Sequence, residues 1–113
     1  MTDPANHLAT RRQETTALVE ALDRRLTGII ESSAYSSNDD EHDPEGATVA
    51  FERAQVMSLL DQARAELNAL DAATARLAAG TYGTCLRCGR PITPGRLDAL
   101  PATTTCIHCA DRR

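Results

Sequence analysis

The sequence of 113 residues contains no tryptophan, one phenylalanine and two tyrosines. Because large side chains are scarce, a thick globular core is not expected, and paired helices with a metal staple are favoured instead. No apolar stretch approaches the roughly 20 residues that a membrane-spanning helix needs. The scarcity of aromatics also removes the stacking platforms that usually bind single-stranded nucleic acid. These absences favour an elongated helical protein that has no membrane span and binds other proteins.

Cysteine is also scarce, and all four cysteines fall into two C-x-x-C pairs. The pairs are Cys85 with Cys88 and Cys106 with Cys109, and 17 residues separate them. One such pair places two thiolates on one ion, and two pairs at this spacing complete a tetrahedron around Zn²⁺. Gly89 suits the turn of such a site, where φ is positive. We therefore predict one structural Zn²⁺ per chain and no enzyme activity, because four thiolates leave no coordination position open.

Two disulfides in a secreted domain are the alternative interpretation of the four cysteines. The first twenty residues include Asp3, Arg11, Arg12 and Glu14 and lack the apolar run of a signal peptide. We therefore expect a cytoplasmic protein whose reduced thiols are available to metal. His108 lies between two cysteines and is an alternative ligand, although an exposed position is its plainer interpretation.

Charge is unevenly distributed along the chain, whose formal net charge is −4. Residues 31–45 hold six acidic side chains and no Lys or Arg, whereas residues 80–113 hold five arginines against two aspartates. Nucleic-acid binding through phosphate contacts usually needs a denser basic patch. We therefore expect a protein partner and no direct sequence-specific DNA binding.

Two long segments carry helix signals. Asp3-Pro4 begins the first and Asp43-Pro44 the second, in the order of an Asp N-cap followed by Pro at the first helical position. Apolar or small residues recur at 3–4 spacing from residue 5 to about 32 and from residue 45 to 79, and Gly80 is a natural stop. The first stripe is Ala5, Leu8, Thr15, Val19, Leu22, Leu26 and Ile29, with Arg12 as a misfit. The second is Val49, Val56, Leu60, Ala63, Leu67, Leu70, Thr74 and Leu77, with Arg53 as a misfit.

The connector between these segments, residues 31–43, is rich in Ser, Asn and Asp and reads as a turn or short loop. Two helices joined in this way pack antiparallel, and each covers the other's stripe. We predict a mainly α fold in which residues 1–79 form a long antiparallel two-helix coiled coil with an acidic tip at about 31–45. Residues 80–113 form a small four-cysteine zinc-finger module. We expect a monomer, and a compact three-helix domain or a self-associating coiled coil is the alternative.

The cysteine region resembles the zinc finger of the DksA/TraR family of transcription regulators, in its actinobacterial DksA-like form. Residues 80–92 read GTYGTCLRCGRPI, and residues 96–101 read RLDALP before the second cysteine pair. With the preceding coiled coil, the resemblance covers nearly the whole chain. It implies a regulator that binds bacterial RNA polymerase, inserts its coiled-coil tip into the secondary channel and modulates initiation. Family members often act in this way together with ppGpp, the alarmone of the stringent response.

The resemblance also implies functional residues at the two ends of the coiled coil. The best-known members carry Asp-x-x-Asp-x-Ala at the tip, and this chain reproduces that motif in neither of two registers. Starting at Asp43 places Gly46 and Thr48 next, whereas counting back from the cysteines gives His42, Glu45 and Ala47. The expected polymerase-modulating tip residues are Asp43, Glu45, Asp39, Asp40 and Ala47. The expected partner-binding residues at the base are Arg87, Arg90 and Arg96. A helix cap for Asp43 and plain surface positions for the arginines are the simpler alternatives.

Three other functions stay open at the level of sequence. A zinc-stabilised adaptor would bind a partner other than RNA polymerase, with the resemblance preserved only in the fold. Direct DNA binding by the zinc module predicts an affinity that falls steeply with salt. A thiol-redox switch or enzyme would need an exposed thiolate with a low pKa, and ligation of all four sulfurs opposes that role.

Overall fold

The computed structural model describes residues 3–35 and 44–111. Its helices are α1 (Pro4–Tyr35), α2 (Pro44–Ala79), α3 (Pro94–Ala99) and α4 (Ile107–Ala110). In the described ranges the chain forms no strand, and Thr84 and Pro91 make an isolated antiparallel bridge. No helix in those ranges is both long and apolar enough to cross a membrane. The mainly α fold is confirmed. The connector predicted at residues 31–43 is shorter than expected at its start, because residues 31–35 continue α1, and the rest of it, residues 36–43, lies outside the described residues.

The ends of the long helices follow the signals in the sequence. The backbone N–H of Ala5 donates to Oδ1 of Asp3 at 3.2 Å, so Asp3 caps α1. Gly80, which follows the last residue of α2, has a φ of 81°. The N–H of Gly80 donates to the carbonyl of Leu77 at 3.2 Å, and that of Thr81 donates to the carbonyl of Arg76 at 2.9 Å. This is a Schellman motif, which satisfies the last carbonyls of α2.

The chain divides into two compact units, each built from both long helices. One unit is Thr15–Ala65, and the other combines Met1–Glu14 with Glu66–Arg113. The second unit contains the four cysteines together with the start of α1 and the end of α2. The domain boundary that the sequence predicts between residues 79 and 80 stays a prediction.

In the unit Thr15–Ala65, apolar side chains of α1 and α2 form one core. The buried members are Leu22, Val56, Leu60 and Ala63, and Val19, Leu26 and Ile29 pack against them. Asp23 pairs with Arg64 at 3.1 Å, and Arg25, further along α1, pairs with Glu52, earlier along α2, at 3.3 Å. That order is antiparallel, as predicted. Both ion pairs are about half exposed, so each is worth at most about 1 kcal/mol, and the apolar core supplies most of the stability.

In the other unit, Leu8 of α1 packs against Leu70 and Ala73 of α2. Leu77, Tyr82 and Ala102 surround this core. The Tyr82 hydroxyl donates to the carbonyl of Pro101 at 2.9 Å. The His7 ring lies with Nε2 3.0 Å from the carbonyl oxygen of Asp98. The first turn of α1 is therefore hydrogen-bonded to α3.

The second stripe shifts register within this unit. The sequence predicts Thr74 in the stripe, but Thr74 is exposed and its hydroxyl donates back to the carbonyl of Leu70 at 2.9 Å. Ala73 takes the buried position with no exposed surface. In the first stripe, the misfit Arg12 is likewise exposed, and its Nε lies 2.7 Å from Oδ1 of Asp71. A helix turns once in 3.6 residues, so a strict heptad stripe drifts around its surface.

We expect the protein to be a monomer, because α1 and α2 cover each other's stripe within a single chain. Light scattering over a tenfold range of concentration should give the chain mass of 12.2 kDa throughout. A constant value of twice that mass would show that the apolar stripes pair between two chains.

Candidate metal centre

The first cysteine pair lies in a tight turn. The N–H of Cys85 donates to the carbonyl of Arg90 at 2.8 Å, and the N–H of Gly89 donates to the carbonyl of Cys85 at 2.9 Å. Gly89 has a φ of 74°, the left-handed conformation predicted for it. The turn closes around Cys85, which is 1% exposed. The turn thereby holds the Cys85 side chain in one direction.

The second pair lies at the start of α4. Cys106 is the residue before the helix, and the N–H of Ala110 donates to its carbonyl at 2.9 Å. The N–H of Leu86 donates to the carbonyl of Thr104 at 2.8 Å, which joins the first turn to the loop before Cys106. One backbone hydrogen bond therefore connects the first cysteine turn to the loop that leads into the second pair.

The four sulfurs form a single cluster. The Sγ atoms of Cys85, Cys88, Cys106 and Cys109 all lie within 4.8 Å of one another, and those of Cys88 and Cys106 are 3.7 Å apart. A zinc ion with Zn–S bonds of about 2.3 Å places its tetrahedral sulfurs about 3.8 Å apart. The cluster therefore fits Zn²⁺ with small adjustments. A four-sulfur site of this kind stabilises a fold and leaves no position for a substrate.

The thiols differ in acidity. Backbone amides of Cys106 and then of Cys88 hydrogen-bond the Cys85 sulfur and lower its pKa to about 6. The pKa of Cys106 is lowered chiefly by the backbone amide of Cys109. Desolvation, followed by the neighbouring sulfurs, raises the pKa of Cys109 to about 12. Several thiolates repel one another in so small a space, and a divalent cation offsets that repulsion, so that all four cysteines bind it as thiolates.

Comparisons with known proteins find a family of zinc fingers that matches this part of the chain. A model of the prokaryotic DksA/TraR C4-type zinc finger matches residues 80–113. The structure of transcription factor DksA2 from Pseudomonas aeruginosa has a TM-score of 0.76 and 30% sequence identity, and the match covers 93% of this chain and 75% of that one. The solution structure of DnaK suppressor protein from Agrobacterium tumefaciens C58 has 34% identity, with 90% and 89% of the two chains covered and a TM-score of 0.46.

A shorter match is found with an uncharacterized protein of Aquifex aeolicus strain VF5. It is 45% identical over 47 residues, which are 42% of this chain and 32% of that protein. This chain therefore matches about a third of the length of that relative.

A helical hairpin joined to a C4 zinc finger is the architecture of a class of bacterial transcription factors, as the DksA2 match shows. The chain belongs to the DksA/TraR family. The predicted structural zinc is confirmed by the family's C4 finger and by the sulfur cluster. His108 is exposed beside the cluster, which consists of the four cysteines alone among the described residues.

The three base arginines differ in their surroundings. Nη1 of Arg87 donates to the carbonyl of Cys109 at 3.1 Å, and Nε of Arg96 donates to that of Thr105 at 2.9 Å. Arg90 is exposed, and its side chain makes no hydrogen bond or ion pair within residues 3–35 and 44–111. These contacts could not be predicted from the sequence, because the carbonyls lie 9 and 22 residues away along the chain. The partner-binding role of all three arginines stays a prediction.

The tip residues are largely beyond the described part of the chain. Asp39, Asp40 and Asp43 lie outside it. Glu45 belongs to the first turn of α2, and Ala47 is exposed on the same helix. Their role in acting on polymerase is therefore also a prediction.

Proposed function

We propose that this protein regulates transcription by binding bacterial RNA polymerase and inserting the tip of its helical hairpin into the secondary channel. The observation that supports this most is the match to transcription factor DksA2, which extends over 93% of the chain, hairpin and zinc finger together. Binding modulates initiation without catalysis by the protein itself, which agrees with a metal site closed by four sulfurs. Such a regulator works in the cytoplasm, with ppGpp as a further ligand of the complex.

The charge distribution supports separate roles for different parts of the protein. Residues 31–45 carry six acidic side chains. A polymerase active site holds Mg²⁺ in basic surroundings, where carboxylates change the local field without performing chemistry. The hairpin and zinc module would then supply affinity, and the acidic residues would supply the effect on initiation.

Purified components provide the test of this proposal. The protein should be retained by immobilised RNA polymerase core enzyme and should change the yield of initiated transcripts, with a further change on adding ppGpp. If the protein shows no binding at micromolar concentration and low salt, the polymerase proposal is wrong. Recovery of a different partner from native lysate would then favour the adaptor function.

The acidic tip has its own expected result. Changing Asp43→Asn and Glu45→Gln together should leave polymerase binding within about twofold and reduce the transcriptional effect severalfold, because the two charges are lost whereas Asn remains a competent N-cap. The measurement is transcript yield against protein concentration at fixed salt. The matched control is Glu20→Gln with Asp61→Asn, two exposed acids elsewhere on α1 and α2. Full activity of the tip variant would assign the effect to other tip acids or to occupancy of the channel.

A further inference from the structure

Two arginines hold the backbone on either side of the second cysteine pair. Nε of Arg96 donates to the carbonyl of Thr105, directly before Cys106, at 2.9 Å. Nη1 of Arg87 donates to the carbonyl of Cys109 at 3.1 Å. We call Arg87 and Arg96 the arginine clamp, because their contacts lie at the two ends of the segment that carries two sulfurs.

Apart from the backbone hydrogen bond between Leu86 and Thr104, the second pair has little other support. Helix α4 has only four residues, and none of them is buried. Ile107, between the two cysteines, is 56% exposed. The packing of this segment therefore comes chiefly from Cys106 and Cys109, which contact the small cluster around Ile92. A segment packed so lightly needs hydrogen bonds from outside to keep its direction.

Arg96 is well placed for this task. It lies on α3, and its Nη2 is 3.4 Å from the Thr103 hydroxyl, which in turn lies 3.3 Å from the carbonyl of Thr105. The planar guanidinium thus spans the loop just before Cys106 with donors in a fixed arrangement. Arg87 comes from the first cysteine turn, so its bond to Cys109 connects the two halves of the metal site directly.

We propose that the arginine clamp positions Cys106 and Cys109 for zinc and so sets how tightly and how long the protein retains the ion. Neither arginine is a ligand. Each acts through a backbone carbonyl at or beside a ligand residue, and loss of the outer hydrogen bonds that orient metal ligands typically costs roughly ten- to hundredfold in metal affinity. Of the three arginines of the zinc module within the described residues, two thus donate to backbone carbonyls of the module itself, and Arg90 makes no such bond.

The test compares zinc retention among arginine variants of the full chain. Arg96→Met and Arg87→Met keep most of the aliphatic length but remove the donors, and Arg90→Met is the matched control. Competition with a chromophoric chelator should show about tenfold weaker zinc binding and faster release for each clamp variant. The control should stay within twofold of the unsubstituted protein. Arg96→Lys should recover part of the affinity, because an ammonium can donate to the Thr105 carbonyl but lacks the fork that also reaches Thr103.

A spectroscopic readout separates positioning of the sulfurs from general stability. Cobalt substitution should give the visible spectrum of a four-thiolate tetrahedral site, with altered band intensities in the clamp variants and an unchanged spectrum in Arg90→Met. Clamp variants that bind zinc within twofold of the control would overturn the proposal. The proposal would also be wrong if the clamp variants lowered the melting temperature as much without zinc as with it. The arginines would then support the fold irrespective of the metal.

Discussion

Replacing Cys106 with serine is expected to release the zinc ion and unfold residues 80–111. Structural zinc sites of this kind contribute on the order of 10 kcal/mol of apparent binding energy, and that energy is folding energy for so small a region. The cluster beneath the site consists of Cys85, Ile92 and Cys106, with Leu97 and Cys109 at its edge, so three of its five members are zinc ligands. Removing the ion leaves too little apolar contact to hold the region.

Metal analysis and amide NMR measure this outcome directly. The unsubstituted protein should contain one zinc per chain, and Cys106→Ser should contain far less and lose the dispersed amide signals of residues 80–111. Helical signal should survive in Thr15–Ala65, whose core includes no residue of the zinc module. The control is His108→Ser, because His108 is exposed between two ligands. This variant should bind as much zinc as the unsubstituted protein. Less than half an equivalent of zinc in the unsubstituted protein would contradict the assignment.

Leu70→Ala is expected to lower the free energy of unfolding by about 2–5 kcal/mol. Leu70 has no exposed surface and packs against Leu8 and Ala73, so truncation removes apolar contacts and leaves a cavity. Leu67→Ala is the matched comparison, because Leu67 lies on the same helix but is only half-buried. The decrease in the free energy of unfolding for Leu67→Ala should be about half as large. Urea denaturation of the zinc-loaded proteins, followed by circular dichroism, gives both values.

Equal losses for the two leucines would show that the burial difference between them does not control stability. A loss below about 1 kcal/mol for Leu70→Ala would show that the core around Leu8 relaxes to fill the space.

The features that local sequence determines were predicted well. The spacing of the cysteines identified the metal, and the residues around them carried the resemblance to the family. Asp3 and Gly80 marked real helix ends because capping depends on neighbouring residues only. The exposed Phe51, at 73%, agrees with the expectation that aromatics build no thick core. These predictions needed no knowledge of which distant residues meet.

The features that depend on distant contacts were not predictable in the same way. Ala73 is buried in place of Thr74 because α2 is rotated relative to its partner helix, and a heptad count does not predict that rotation. The clamp contacts of Arg87 and Arg96 likewise depend on where the second cysteine pair lies in space. From sequence, all three base arginines were equivalent surface cations.

The hydrogen bond between His7 and the carbonyl of Asp98 has a consequence for the order of folding. The two residues are 91 positions apart. At a synthesis rate of about 5–20 residues per second, the first turn of α1 waits roughly 5–20 s for its partner. Closing so long a loop costs chain entropy that only the completed contacts around Leu8 can offset. The beginning of the chain therefore reaches its final environment only after the segment leading to the second cysteine pair has been made.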